Sequence, residues 1–144
     1  MLERWVQNDE YLALKRLEFE SKLKQLNNNE DKLFCFCAKV IQAIRGELYG
    51  DVFLITESTL KNFRNALNKM SYELSNQILQ GVGDIQKMQD VKKCLDEVHL
   101  QLVIAENDFK SIRKRTKAIQ QGRNSLDNAL SHLAFHLQRF GEIK

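Results

Sequence analysis

Residues 88–140 read MQDVKKCLDEVHLQLVIAENDFKSIRKRTKAIQQGRNSLDNALSHLAFHLQRF, and an apolar side chain recurs along this stretch at alternating steps of three and four. Two heptad positions, here called the seam, carry the pattern, and 14 of their 16 residues are apolar. The first position holds Met88, Leu95, Leu102, Phe109, Thr116, Arg123, Leu130 and Leu137, and the second holds Val91, Val98, Ala105, Ile112, Ile119, Leu126, Leu133 and Phe140. Heptad spacing sustained over this length is typical of coiled coils, so it predicts one long helix over about 84–140.

The same seam also fits a helical hairpin. In QQGRNS, Gly122 and Asn124 could turn the chain and Ser125 could cap a second helix. The uninterrupted phase favours one continuous helix, whereas the glycine beside Arg123, a cation on the seam, favours a break near 122–124. The sequence leaves both alternatives open.

Three shorter helical segments precede the heptad stretch. Apolar spacing predicts them at about 2–26, 31–49 and 58–80. Gly50 fits the left-handed conformation that ends many helices, and the glycines of GVGD end the third segment, where Asp84 is placed to cap the heptad helix. Residues 1–144 are therefore expected to form a single all-α domain, a helical bundle with a long C-terminal heptad helix or helical hairpin.

The bulk composition agrees with a protein of long helices. Proline is absent from all 144 residues, so no residue of the chain breaks a helix by removing a backbone donor. Hydrophobic residues make up 43%, which is enough for a core and too much for a disordered chain. The longest apolar runs, LFCFCA and VFLI, are too short to cross a bilayer, and the charged N-terminal residues do not resemble a signal peptide. We expect a soluble cytoplasmic protein.

Residues suited to catalysis or metal binding are few. His132 and His136 stand four residues apart, a spacing that could place both rings on one metal, but no neighbouring thiol or carboxylate completes a ligand set. Cys35, Cys37 and Cys94 lack zinc-type spacing and are expected to be buried reduced thiols. The neighbouring carboxylates Asp96 and Glu97, and likewise Glu18 and Glu20, do not share a helix face, so they do not suggest an acid–base pair, and GVGD lacks the strand and the lysine of a phosphate-binding loop. The sequence therefore predicts a non-enzymatic protein without a metal or cofactor.

The segment KSIRKRTKAIQQGR, residues 110–123, carries six cations and no acid. The cations are Lys110, Arg113, Lys114, Arg115, Lys117 and Arg123. In the heptad frame all of them except Arg123 lie off the seam, on the exposed sides of the helix. Residues 84–108 hold six acids against three lysines, whereas simple solubilisation would intersperse the two signs. We expect these cations to bind an acidic partner, and the alternative is a face that is only solvated.

These features predict a protein–protein interaction module that pairs with itself or with a partner helix through seam left over by the bundle. In size and helical character the chain is similar to secretion chaperones and coiled-coil adaptors, a likeness of fold class that carries no residue across. The seam residues expected to pair are Leu95, Val98, Leu102, Phe109, Ile112, Ile119, Leu126, Leu130, Leu133 and Leu137. The alternative is a nucleic-acid-associated accessory protein that sets residues 110–123 against phosphates, although no free aromatic ring stands among the cations.

Overall fold

The computed structural model describes the backbone of residues 2–143 and the side chains from Tyr11 to Ile143. The helices, in chain order, are α1 Leu2–Leu23, α2 Asn29–Leu48, α3 Glu57–Gln80, α4 Ile85–Asn107, α5 Ile112–His132 and α6 Ala134–Glu142. A 3-10 turn, Val52–Leu54, lies between α2 and α3, and no strand occurs within residues 2–143. The predicted all-α helical bundle is confirmed.

A tight turn divides the C-terminal heptad stretch. α4 ends at Asn107 and α5 begins at Ile112. The Ser111 amide donates to the carbonyl oxygen of Asp108 at 2.9 Å, and the Ser111 hydroxyl accepts from the amide of Lys114 at 3.4 Å. Ser111 therefore both closes the turn and caps the next helix.

Both predictions for this stretch need correction. A continuous helix over 84–140 is wrong, because the chain reverses at 108–111 and α5 packs back along α4. A hairpin is present, but its expected turn near 122–124 falls inside α5, where Gly122 is helical and buried. A Cβ built on Gly122 would lie 3.9 Å from Cγ1 of Val98 on α4. The glycine therefore lies at the contact between α4 and α5 and not in a turn.

The hairpin turns the heptad seam into an interface within one chain. Seam residues on both arms are fully buried, namely Leu95, Val98 and Leu102 before the turn and Ile119, Leu126 and Leu133 after it. Phe109, Leu130 and Leu137 are partly buried against the same core. Ile112 departs from the prediction, because this first residue of α5 is 50% exposed. Since each arm covers the other, the seam does not project beyond the bundle as a surplus apolar stripe.

Local chemistry sets the ends of the other helices. The side-chain oxygen of Asn28 caps α2, and that of Asp84 caps α4 as the sequence predicted. Gly81 ends α3 in the left-handed conformation, with φ of 68°, inside the predicted GVGD break. Gly50 does not adopt the left-handed conformation expected of it. Its carbonyl oxygen instead accepts a hydrogen bond from Arg123 of α5 at 3.3 Å.

The core is centred on α2 and on the α4–α5 hairpin. Five successive residues of α2, Phe34 to Ala38, are buried, so this helix is covered on all sides at that level. The helices that pack on α2 are α1, α5 and α6, while α3 packs mainly on α4. No helix in the described part of the chain combines the length and the apolar character needed to cross a membrane.

Candidate functional site

Four of the six cations of segment 110–123 form an exposed surface at the start of α5. We call this surface the basic face, and it consists of Lys110, Arg113, Lys114 and Lys117. Arg113 and Lys117 stand one helical turn apart, and Lys114 lies within one turn of both, so the three charges are neighbours. Within residues 11–143 none of the four side chains forms an ion pair or hydrogen bond. No ion pair within the described residues therefore neutralises the basic face.

Arg115, the fifth cation, is not part of this surface. It is only 7% exposed and its Nη1 donates to the carbonyl oxygen of Phe109 at 2.9 Å. The guanidinium also stacks on the Phe109 ring, 4.3 Å from the ring centroid. Arg115 shares the buried side of α5 with Ala118 and Ile119, so it stabilises the α4–α5 turn. The expectation that Arg115 would be exposed is wrong.

Arg123, the sixth cation, completes the end of another helix. Its Nε donates to the carbonyl oxygen of Leu48 and its Nη2 to that of Gly50. The last carbonyl groups of a helix have no partners within the helix and carry partial negative charge. A guanidinium from α5 therefore caps α2, and this explains why a cation occupies a seam position. The prediction that Arg123 binds a partner is also not supported by its placement.

The basic face works against the electrostatics of its own helix. α5 has no acid in its first turn, where Arg113 and Lys114 stand instead. The N-terminus of a helix carries partial positive charge, so a cation there costs about 0.3–1 kcal/mol at an exposed position. Helix stability therefore does not account for these cations.

Uncharged amide groups continue the same side of α5. Gln120, Gln121 and Asn124 are exposed, and no acid occurs between residues 112 and 126. The first acid on α5, Asp127, is held by Arg45 of α2 and accepts a hydrogen bond from Tyr49 at 2.9 Å. An anion approaching this side of the helix meets donors and cations along about four turns.

A buried polar cluster ties α2, α4 and α6 together at the other end of the bundle. His136 is 5% exposed, and its Nε2 lies 3.2 Å from Nζ of Lys87. Its Nδ1 lies 3.9 Å from Oδ1 of Asp31, and the other oxygen of Asp31 pairs with Arg139 at 3.2 Å. Burial lowers the pKa of His136, and the ammonium group of Lys87 lowers it further. No sequence motif predicted this cluster, because its members are widely separated along the chain.

The two histidines that stand four residues apart do not share a site. The helix breaks at Leu133, which leaves His132 exposed in the last turn of α5 and His136 buried on α6. No group of three potential metal ligands occurs among the side chains that the structure describes. Cys35 and Cys37 are buried as expected, and burial raises their thiol pKa values to about 11 and about 12. Such thiols are poor nucleophiles at neutral pH.

An apolar groove along α1 is a second feature that the sequence did not reveal. Its volume is about 580 Å³, and its lining consists of Ala13, Arg16, Leu17, Glu20 and Leu23 of α1, Lys24 directly after α1, and Lys32 of α2. Leu17 is 68% exposed in this groove, although its side chain is large and apolar. A regular apolar stripe is evident in the sequence only for the buried side of this helix, where Leu12 and Phe19 lie seven residues apart.

Comparisons with known proteins identify no relative. No protein-family model, no curated protein and no solved structure matches the chain. Its function must therefore be inferred from the charges, burial and contacts of this chain alone.

Proposed function

We propose that this chain is a non-enzymatic interaction module of the cytoplasm, an adaptor or secretion-chaperone-like bundle whose basic face binds an acidic protein partner. One observation carries the proposal: the four cations of the basic face are exposed and unpaired within the described chain, and the dipole of α5 opposes the two of them, Arg113 and Lys114, that stand in its first turn. An acidic surface on a partner would neutralise them. Charge complementarity of this kind raises the association rate and selects among partners.

Exposed apolar side chains near the basic face favour a protein as the partner. Ile112 is half exposed beside Arg113. The connector between α2 and α3 starts beside Arg123 and leads to Glu57, the first residue of α3, which shares a groove with the α4–α5 turn. Both ends of the connector therefore lie near α5 or the turn before it, and within the connector Leu54 is 79% exposed. Protein interfaces combine an apolar centre with a charged rim, and both are available here.

The α4–α5 hairpin does not favour pairing of the seam with a second chain. The two halves of the seam cover each other in the α4–α5 hairpin, so no second chain is needed to bury Leu102 or Leu126. We expect the purified protein to be a monomer in light scattering. A stable dimer would instead require that another apolar surface pairs two copies of the chain.

The second candidate is a nucleic-acid-associated accessory protein. Residues 112–126 carry cations and amides without an acid, a composition that suits contacts to phosphate groups. Base stacking has less support, because the ring of Tyr49 on this flank already packs against Arg45 and Arg123, at 4.4 and 4.8 Å from its centroid. A protein partner is therefore the preferred proposal.

A charge-matched pair of variants tests the proposal. Arg113→Gln/Lys117→Gln removes two charges from the basic face, and Lys61→Gln/Lys93→Gln removes two exposed charges elsewhere. Each tagged protein is used to capture partners from its native extract at low and high salt. We expect both variants to unfold within about 1 kcal/mol of the unmodified protein, and only the first to lose an acidic protein partner.

The same capture experiment distinguishes the protein-binding function from the nucleic-acid-associated one. Nucleic acid that is retained at low salt and released steeply as salt rises would favour the accessory role, because phosphate contacts release counterions. If Arg113→Gln/Lys117→Gln retains its protein partner at full strength at low salt, the basic face is only solvated.

A further inference from the structure

The groove along α1 is a second docking surface, separate from the basic face. We propose that it binds an acidic amphipathic helix of a partner protein. Its lining residues on α1 lie between Ala13 and Leu23, in the half of α1 that leads to α2. The basic face lies at the opposite end of the bundle, where α4 turns into α5. This inference therefore goes beyond the proposed function and does not depend on it.

The shape of the groove suits a helix. Its residues on α1 and at Lys24 directly after it recur at spacings of three and four, from Ala13 through Leu17 to Lys24, so they form one straight stripe. Eleven steps at 1.5 Å make this stripe about 16 Å long, or three helical turns. Leu17 is exposed on it, and Leu14 is exposed on the neighbouring side of α1. A partner helix with apolar residues at matching spacing would cover both leucines.

The charges around the groove select an acidic partner. Three cations and one acid line it, and Lys32 makes no ion pair with any described side chain. Lys24 pairs at 3.0 Å with Glu20 of α1, a solvent-exposed contact that a partner can replace. Only Arg16 has its charge committed elsewhere, to Glu73 of α3. The remaining positive charge favours carboxylates along the flanks of the incoming helix.

A second copy of this chain is a poorer occupant than an acidic helix. A two-fold pairing places the same surface of both copies face to face. Each patch carries three cations and one acid, so two surfaces of the same net positive charge would face each other, and like charges in an interface select against such pairing. The groove therefore fits a different chain with opposite charge.

Synthetic peptides test the inference with the full chain. The first is a 14-residue labelled helix (about four turns) with leucine at spacings of three and four and glutamate on both flanks. The second has lysine in place of glutamate, and the third has the composition of the first in scrambled order. In fluorescence anisotropy titrations at low salt, we expect the first peptide to bind at least about ten-fold more tightly than either of the others.

Variants of the groove locate the binding. Leu17→Asp should weaken binding of the acidic peptide by at least about ten-fold, because it places a carboxylate on the apolar stripe. Lys32→Glu should weaken the acidic peptide and strengthen the lysine peptide. Leu100→Asp, which alters a half-exposed leucine on α4 that lines neither the groove nor the basic face, should leave both affinities unchanged. Far-ultraviolet circular dichroism and thermal melts confirm that each variant is folded.

Any of three outcomes would overturn the inference: the acidic peptide does not bind, it binds no better than its scrambled form, or its affinity is unchanged by Leu17→Asp and Lys32→Glu in the folded protein. If Lys114→Glu abolishes binding while Lys32→Glu does not, the peptide occupies the basic face. The groove is then rejected as its site, and the proposed function gains support. Loss of partner capture by the basic-face variant, tested separately, is unaffected by any of these results.

Discussion

The ammonium nitrogen of Lys87 lies 3.2 Å from Nε2 of His136, and this contact joins the first turn of α4 to α6. An ammonium group has only donors, so Nε2 must accept the hydrogen bond and the proton of a neutral His136 resides on Nδ1. Nδ1 is buried without a hydrogen-bond partner, because Oδ1 of Asp31 lies 3.9 Å from it, which is too far for a hydrogen bond. The surroundings of His136 at this end of the bundle therefore favour its neutral form.

Acidification should destabilise the fold through His136. Its folded-state pKa is lowered by burial and by Lys87, while Asp31 and Glu30 oppose these effects and Arg139 adds to them. The unfolded chain therefore takes up the proton first as pH falls below the ordinary histidine pKa of about 6.5. Stability is retained above that pH and is lost as pH falls through the lower folded-state pKa. Urea midpoints between about pH 7.5 and about pH 5 measure this loss.

His136→Gln is the matched variant for this pH dependence. It should reduce the difference between the two urea midpoints, because the residue at 136 no longer titrates. His99 contributes in the same direction, since burial also lowers its pKa. His99→Gln therefore serves as the comparison. An unchanged pH dependence in His136→Gln would show that the buried cluster is not responsible.

Leu102→Ala should destabilise the protein by about 2–5 kcal/mol. The Leu102 side chain is fully buried between the arms of the hairpin, so truncation leaves a cavity. Leu137→Ala should cost less, because Leu137 is only partly buried on the short helix α6. Guanidinium melts rank the two variants. The reverse order would mean that the centre of the core lies nearer to α6 than to the hairpin.

Gly122→Ala and Gly122→Leu should have opposite effects. A Cβ at Gly122 meets Gln101 at 3.7 Å and Val98 at 3.9 Å, which are ordinary contact distances. Alanine therefore fits and should stabilise α5 by up to about 1 kcal/mol through helix propensity. Leucine should cost about 1–3 kcal/mol, because its longer side chain must push α4 away. Equal stability of both variants in thermal melts would contradict close packing at this position.

Arg115→Gln and Lys114→Gln separate structural from partner-binding cations. Arg115→Gln removes the donor to Phe109 and should cost about 1–3 kcal/mol in a denaturant melt. Lys114→Gln, one residue earlier on the exposed side, should change stability by less than about 0.5 kcal/mol. If Lys114→Gln were the more destabilising variant, the assignment of Lys114 to the basic face would be wrong.

Arg123→Leu should destabilise the protein although it restores an apolar seam. The substitution leaves the carbonyl oxygens of Leu48 and Gly50 without their guanidinium donor. Losing these bonds should cost about 1–3 kcal/mol. A continuous coiled coil would instead gain stability from leucine at this position, so the sign of the change in a urea melt distinguishes the two architectures.

The helical character of the protein and the buried side of each long helix are determined by the sequence alone. Without proline, and with apolar side chains at helical spacing, nearly every segment favours a helix whose buried side is evident from its periodicity. Leu95, Leu102 and Leu126 are predicted and found in the core for this reason. The exposure of Arg113, Lys114 and Lys117 is explained by the same periodicity. Helical periodicity is a local property, because it depends only on the residues three and four positions away in the sequence.

The reversal of the chain at 108–111 was decided by tertiary packing. A heptad seam has the same phase whether its two halves form one helix or fold onto each other, so periodicity does not distinguish them. Asn107, Asp108 and Ser111 are turn and capping residues, and they were the only local signal of the true position. Burial of both seam halves within one chain then outweighs the continuity of a single helix.

The roles of Arg115, Arg123 and His136 depend on partners that the sequence does not place beside them. Arg123 binds carbonyl groups about 75 positions earlier in the chain, and His136 contacts Lys87 at a separation of 49 residues. The apolar groove likewise exists only because Lys32 of α2 stands beside the outer stripe of α1. Helical periodicity specifies which side of a helix is buried, but the charges and carbonyl groups it meets there are set by how the helices pack.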